Sequence, residues 1–236
     1  MNDIPQTERA VQLVGPDKLE LNPAKPVADP GAHQVLARVE AVGLCFSDLK
    51  LLKQFSQHGR KSGVLTGLDA QTLAEMPNYV PGETPTVPGH EAVIRVVKVG
   101  PGVDRYKTGE RFIVETDYRW LPTDKSNAAF GYNFEGGLQE YVMMDERVVI
   151  DSTGERFLIP APENLSASSI ALEYRKCTSA RSTSPLSRAG TIGSTGGGTV
   201  VGVESNSLMR SIATRACWYE SNTWESCWIG AKNSVR

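Results

Sequence analysis

Residue types able to do chemistry together are concentrated in two short stretches, GLCFSDLK and VPGHEAVIRVV. The second sets His90 and Glu91 side by side, after Pro88-Gly89 and ahead of an apolar run. The first carries Cys45, Ser47 and Asp48. A catalytic zinc takes about three protein ligands of the His, Cys or carboxylate kind and keeps a further position open. Cys45 and His90 can supply two of them, each at a strand boundary near Gly or Pro, where backbone can crowd an ion. Glu91 can ligate directly or support a ligand from behind. Asp48 can hold the other ring nitrogen of His90 and fix its tautomer. Ser47 can pass a hydroxyl proton toward solvent. A plainer reading stands beside this one. A lone Cys after an apolar run packs as a small core residue, and a His-Glu pair can simply be hydrogen-bonded. No CxxC pair is present.

The elements that must position these residues read mainly as strands up to about Ile159. ERAVQLV and KLELN alternate and are separated by Gly15-Pro16-Asp17, the pattern of a hairpin. QVLARVEAVGLC alternates and then turns apolar, as a strand entering the core does. SDLKLLKQF has apolar residues at helical spacing. Residues 54–86 are rich in Gly, Pro and polar side chains and predict a long excursion with little regular structure. AVIRVVKVG predicts a strand, followed by a turn into RFIVET. EGGLQEYVMMDERVVID predicts two further strands. Short strands joined by Gly/Pro turns predict a mainly β fold, a partly open β-barrel with short helices. Pro160 and Pro162 mark an extended linker, and Ser166 is a suitable N-cap for a short helix.

With 236 residues, the chain suits one or two domains. A net charge of −2 with no polybasic block argues against nucleic acid or an acidic membrane surface as partner. The polar N-terminus lacks the apolar stretch of a signal peptide, and no later run is apolar enough to cross a bilayer. A cytoplasmic protein is expected, in which Cys45, Cys177, Cys217 and Cys227 are free thiols or metal ligands. His33, His58 and His90 are the only histidines, so histidine chemistry has few candidates.

GLCFSDLK resembles the G-x-C-x-[ST]-D segment of the zinc-dependent alcohol dehydrogenases, in the medium-chain dehydrogenase/reductase superfamily. VPGHEAVIRVVKVGPGVDRYKTGERF resembles that family's PGHE strand and following turn. EGGLQEYVMM resembles its G-G-[FL]-[AQ]-E-Y segment, and LIPAPENLSASSIAL its crossing into the cofactor domain. The likeness covers roughly residues 8–172. It implies a GroES-like catalytic domain, here residues 1–165. It also implies Zn2+ as cofactor and NAD(P)-linked hydride transfer on a small-molecule alcohol or polyol. A homo-oligomer is compatible with it. By the same likeness Cys45 is the first ligand, His90 the second and Glu91 the acidic group beside the metal. Ser47 is the hydroxyl of the proton relay and Asp48 the carboxylate behind the histidine. Relatives take a third ligand from the helix after the crossing; Glu173 falls near that position, and Cys177 is the other candidate.

The sequence departs from the family in three places. Residues 111–135 contain no cysteine, so the structural zinc lobe is not expected. The excursion between Cys45 and His90 is long. Past Glu173 the composition changes: Ser and Thr make up 18 of the last 64 residues, and Leu, Ile, Val and Phe only 9. Such a segment cannot easily offset its ordering entropy. Residues 166–236 are therefore expected to form a short helix and then a poorly structured tail. The glycine-rich stretch from Gly190 to Gly198 precedes a strand-like run and reads as a flexible turn. No Rossmann domain is recognisable. Two functions follow. One is a zinc-dependent alcohol or polyol dehydrogenase, truncated before its cofactor domain. The other is a non-catalytic, zinc-binding GroES-like barrel without nucleotide affinity, which is the behaviour expected of the chain in isolation.

Overall fold

The structure, a computed structural model, describes residues 4–171. Glu173, Cys177, Gly190 to Gly198 and the rest of the tail lie outside the described residues. The chain opens as the hairpin its alternation predicts. β1 (Thr7–Gly15) pairs antiparallel with β2 (Lys18–Pro26), with Val11 opposite Leu21 and Leu13 opposite Leu19. Asp17 turns the chain at a φ of 54°, a conformation Asp tolerates better than most residues.

A five-stranded antiparallel sheet follows. At its centre β3 (Gln34–Gly43) pairs with β4 (Glu91–Val99). β8 (Tyr141–Asp145) flanks β3; β5 (Arg111–Val114) flanks β4, and β9 (Leu158–Pro160) closes that edge. One face of the sheet carries the main core, with Val35, Ala37, Val39, Ala92, Ile94 and Val96 against Phe112, Tyr118 and Phe134. On the other face Val93 and Ala41 pack against Ala167, Ile170 and Ala171 of a helical turn over 167–171. Burial on both faces is why Ala92, Val93 and Ile94 read as a continuous apolar run instead of alternating. Ser166 caps this turn as predicted, its Oγ accepting the Ser169 N–H at 3.2 Å.

Two expectations need revision. The second strand read from DERVVID is helical: Glu146–Val149 forms α3, capped by Asp145, whose carboxylate accepts the Arg147 N–H. A local side-chain bond to the backbone outweighs the β-branched pair there. The ribbon β6 (Asp117–Pro122) and β7 (Asn127–Ala129) was not foreseen. The excursion over residues 54–86 has little regular structure, as expected. It holds two short 3-10 turns, Phe55–Gln57 and Gly59–Lys61, and α2 (Ala70–Ala74). It nevertheless packs inward, burying Leu73, Met76 and Val80.

Candidate metal centre

Cys45 is the N-cap of α1 (Phe46–Gln54), the helix predicted from SDLKLLKQF. Its Sγ accepts the Ser47 N–H at 3.4 Å, and its own backbone N–H donates to Asp48 Oδ2 at 2.9 Å. This is a capping box with sulfur in the usual hydroxyl position. The helix start therefore fixes both the thiol and the carboxylate, and its dipole favours a thiolate.

His90 arrives from the other side, in the residue before β4. Pro88-Gly89 and Gly136-Gly137 form a backbone seam there. Gly136 N–H donates to Val87 O, Gly137 N–H to Gly89 O, and Leu138 N–H to Pro88 O. A methyl group placed at Gly136 would lie 2.5 Å from the Gly89 oxygen, so only glycine permits this approach. Thr116 Oγ1 adds a hydrogen bond to the His90 carbonyl at 3.0 Å.

These elements bring residues 45 positions apart into contact: Cys45 Sγ lies 3.1 Å from His90 Nε2. On the other edge of the ring, Nδ1 faces Asp48 Oδ1 at 3.1 Å. Among the described residues, Cys45, Asp48 and His90 form the one group able to hold a metal ion. Both Asp48 oxygens are already engaged, by Cys45 N–H on one side and by Gly89 N–H and His90 on the other. Asp48 thus touches the backbone of Cys45 and the ring of His90 at once. Glu91, one residue on in the strand, lies outside the group, its carboxylate beside Gly43.

The electrostatics match. Burial opposes a charge on the His90 ring, which is only 6% exposed, yet hydrogen bonds to Asp48 and Cys45 outweigh it. The ring's pKa is pushed up to about 10. Burial likewise opposes the Cys45 thiolate, but the His90 hydrogen bond and charge, with help from Ser47, bring the thiol below its ordinary value. Each member of the pair thus favours the charged form of the other. A soft thiolate and an imidazole, with the far ring nitrogen held by a carboxylate, are donors suited to zinc.

Two neighbours escaped the sequence reading. Tyr132 is buried, with its ring centroid 5.5 Å from that of His90. His58 stacks on the same tyrosine at 4.9 Å. Both sit in turn-rich segments without a motif; the scarcity of histidine was the only signal for His58.

Comparison with known proteins agrees with this geometry. The family model for the alcohol dehydrogenase GroES-like domain matches residues 31–153. Sorbitol dehydrogenase of Gallus gallus is 34% identical over 91 residues, covering 39% of this chain and 20% of that protein. The uncharacterized zinc-type alcohol dehydrogenase-like protein YphC of Escherichia coli (strain K12) is 27% identical over 157 residues, covering 61% of this chain and 40% of that protein. This chain therefore spans between 20% and 40% of the length of these two relatives. Among solved structures, 2R,3R-butanediol dehydrogenase from Bacillus subtilis superposes with a TM-score of 0.51 at 22% identity, over 70% of this chain and 44% of that one, a likeness of fold. The matched domain takes in both stretches that meet at Cys45 and His90, and through it the chain belongs to the alcohol dehydrogenase family.

Proposed function

We propose that this domain is the metal-bearing part of a zinc-dependent alcohol or polyol dehydrogenase, in which hydride passes between the substrate carbon and NAD(P). The observation that carries the reading is the 3.1 Å approach of Cys45 Sγ to His90 Nε2, with Asp48 behind the ring. When bound, zinc supplies Lewis acidity toward the alcohol or carbonyl oxygen. Cys45 and His90 hold the ion. Asp48 keeps the proton of His90 on Nδ1, leaving Nε2 free to ligate. Ser47 relays the hydroxyl proton, accepting it at Oγ as its own proton passes on toward solvent. A thiolate ligand suits the reducing cytoplasm expected from the sequence.

A second reading is a zinc-holding barrel without nucleotide affinity. It draws on the same Cys45–His90 contact, which needs no nucleotide to hold an ion. Zinc content by elemental analysis tests the metal centre. Cys45→Ala and His90→Ala should each lose stoichiometric zinc while the sheet stays folded; full zinc in both variants would overturn the assignment. NADH fluorescence and turnover on a panel of alcohols then separate the two readings. Turnover supports the dehydrogenase, and zinc without nucleotide binding supports the barrel.

A further inference from the structure

A cavity of about 120 Å3 is lined from β1, β2, β3, β8 and the excursion, and it shares no residue with the Cys45, Asp48 and His90 group. Its polar wall includes Glu8, Lys25, Asn78 and Glu135, and Leu36 and Met143 belong to its apolar side. All but Lys25 are buried, Glu8 at 3% exposure, Asn78 at 5% and Glu135 at 8%.

The charges at this wall do not balance. Lys25 Nζ meets Glu8 Oε1 at 3.4 Å, Glu135 Oε2 at 2.9 Å and Gln139 Oε1 at 2.8 Å, so its three protons are engaged. Two carboxylates thus share one ammonium. Glu8 Oε2 also accepts the Tyr141 N–H at 2.5 Å, a neutral donor. Burial raises the Glu8 carboxyl to about 7, and the charge of Glu135 adds to the effect. Lys61 acts on Glu135 as well, but burial brings it down to about 7, so above neutrality it is mainly uncharged. One negative charge is then left without a counterion.

Asn78 gives an independent sign. Its backbone oxygen accepts the Glu135 N–H at 2.9 Å, which ties it to the carboxylates. Its side-chain Oδ1 is buried and has no hydrogen-bond partner, a rare state for a buried acceptor. The wall therefore offers acceptors and negative charge together. A primary ammonium carries three N–H donors and one positive charge. A metal ion of the oxygen-seeking kind needs oxygen on every side, which Leu36 and Met143 do not supply. Those two side chains suit a hydrocarbon tail. The cavity has the room of about four water-sized groups, enough for a three-carbon amine.

We propose that this cavity binds a small primary alkylammonium, its nitrogen held by Glu8, Glu135 and Asn78 and its carbons packed on Leu36 and Met143. Nothing in this site draws on the metal centre.

The probe is n-propylammonium chloride, titrated into the whole chain at about pH 8, where Glu8 is ionised. The carbon-13 signal of the Met143 methyl, assigned through Met143→Leu, reports from the cavity wall. It should shift and saturate with n-propylammonium, and stay in place with equal KCl or with propan-1-ol, the uncharged analogue. Glu135→Gln restores the charge balance and should weaken binding about tenfold or more. Asn78→Leu removes the unpaired acceptor and should weaken it about fivefold. Urea midpoints establish that each variant is folded. An equal Met143 shift with KCl would assign the site to a monovalent ion, and one with propan-1-ol would leave only an apolar hollow; either overturns the proposal. So does a Met143 signal that ignores n-propylammonium, or an affinity unchanged in Glu135→Gln. Should a variant unfold, the comparison of the three probes on the wild-type chain still decides.

Discussion

Asp48 Oδ1 faces His90 Nδ1 at 3.1 Å, while its other oxygen takes the backbone N–H of Cys45. One carboxylate thereby aligns both donors. Asp48→Asn keeps the shape and removes the charge. Zinc affinity, measured by competition with a chromophoric chelator, should fall about 10- to 100-fold, the usual effect of losing a carboxylate behind a ligating histidine. In the metal-free protein the His90 pKa, read by NMR, should drop from about 10 toward its ordinary value as burial loses its main counterweight. An unchanged pKa would show that Asp48 is not the partner of this ring.

The lowered pKa of Cys45 makes a second prediction that needs no turnover. In the metal-free chain, iodoacetamide should label Cys45 near neutral pH faster than it labels free cysteine, since thiolate is the reactive form. Zinc should protect it, and His90→Ala should slow labelling by removing the positive partner. Peptide mapping by mass spectrometry identifies the site. Equal labelling with and without zinc would count against a thiol ligand.

Two buried groups away from the metal give a pH dependence with opposite signs. Burial pushes Glu8 up from 4.5 to about 7, against the Tyr141 N–H and Lys25. Between those values the folded chain keeps a proton that the unfolded chain has lost, so stability falls as pH rises across that window, by up to about 3 kcal/mol. Burial pulls Lys61 down from 10.5 to about 7, against Glu135. Between about 7 and 10.5 the folded chain lacks a proton that the unfolded chain holds, so stability rises with pH. These two groups together place a minimum near neutrality. Urea unfolding at about pH 5, 7 and 9 should show it. Glu8→Gln should remove the acid-side slope, and Lys61→Met the alkaline one.

The glycine seam predicts a graded mutational series. Gly136→Ala forces a methyl group to 2.5 Å from a backbone oxygen that cannot rotate away. Gly89→Ala meets Leu138 Cγ and Val42 Cγ2 at 2.9 Å, at a φ of 89°. Each should cost roughly 2 to 4 kcal/mol in urea denaturation and weaken zinc binding with it. Gly15→Ala, with nothing within 4 Å and no positive φ, should be close to neutral. Equal effects at all three sites would remove the seam's claimed role.

Much of the site was legible because its signals are local. C-x-S-D is a helix start, so thiol, hydroxyl and carboxylate are set within one turn of Cys45. PGHE is a strand start, and its apolar continuation follows from β4 being buried on two faces. The residues left the meeting of the two stretches open beside a plainer reading, and the resemblance decided for it, because the contacts that create it run through Gly136 and Gly137, distant in sequence. Tyr132 and His58 were missed for a similar reason: each gains meaning only from the fold that stacks them beside His90. DERVV was misread because Val148 and Val149 favour strands in isolation, although Asp145 was already a cap signal.

At Pro88-Gly89 and Gly136-Gly137 main chain rests directly on main chain. No rotamer can absorb an error there, so the direction of the imidazole is set by main-chain packing. Phe46, by contrast, begins α1 with its side chain exposed. A designer wishing to retarget this scaffold could rewrite exposed positions such as Phe46, provided the four residues of the seam are left untouched.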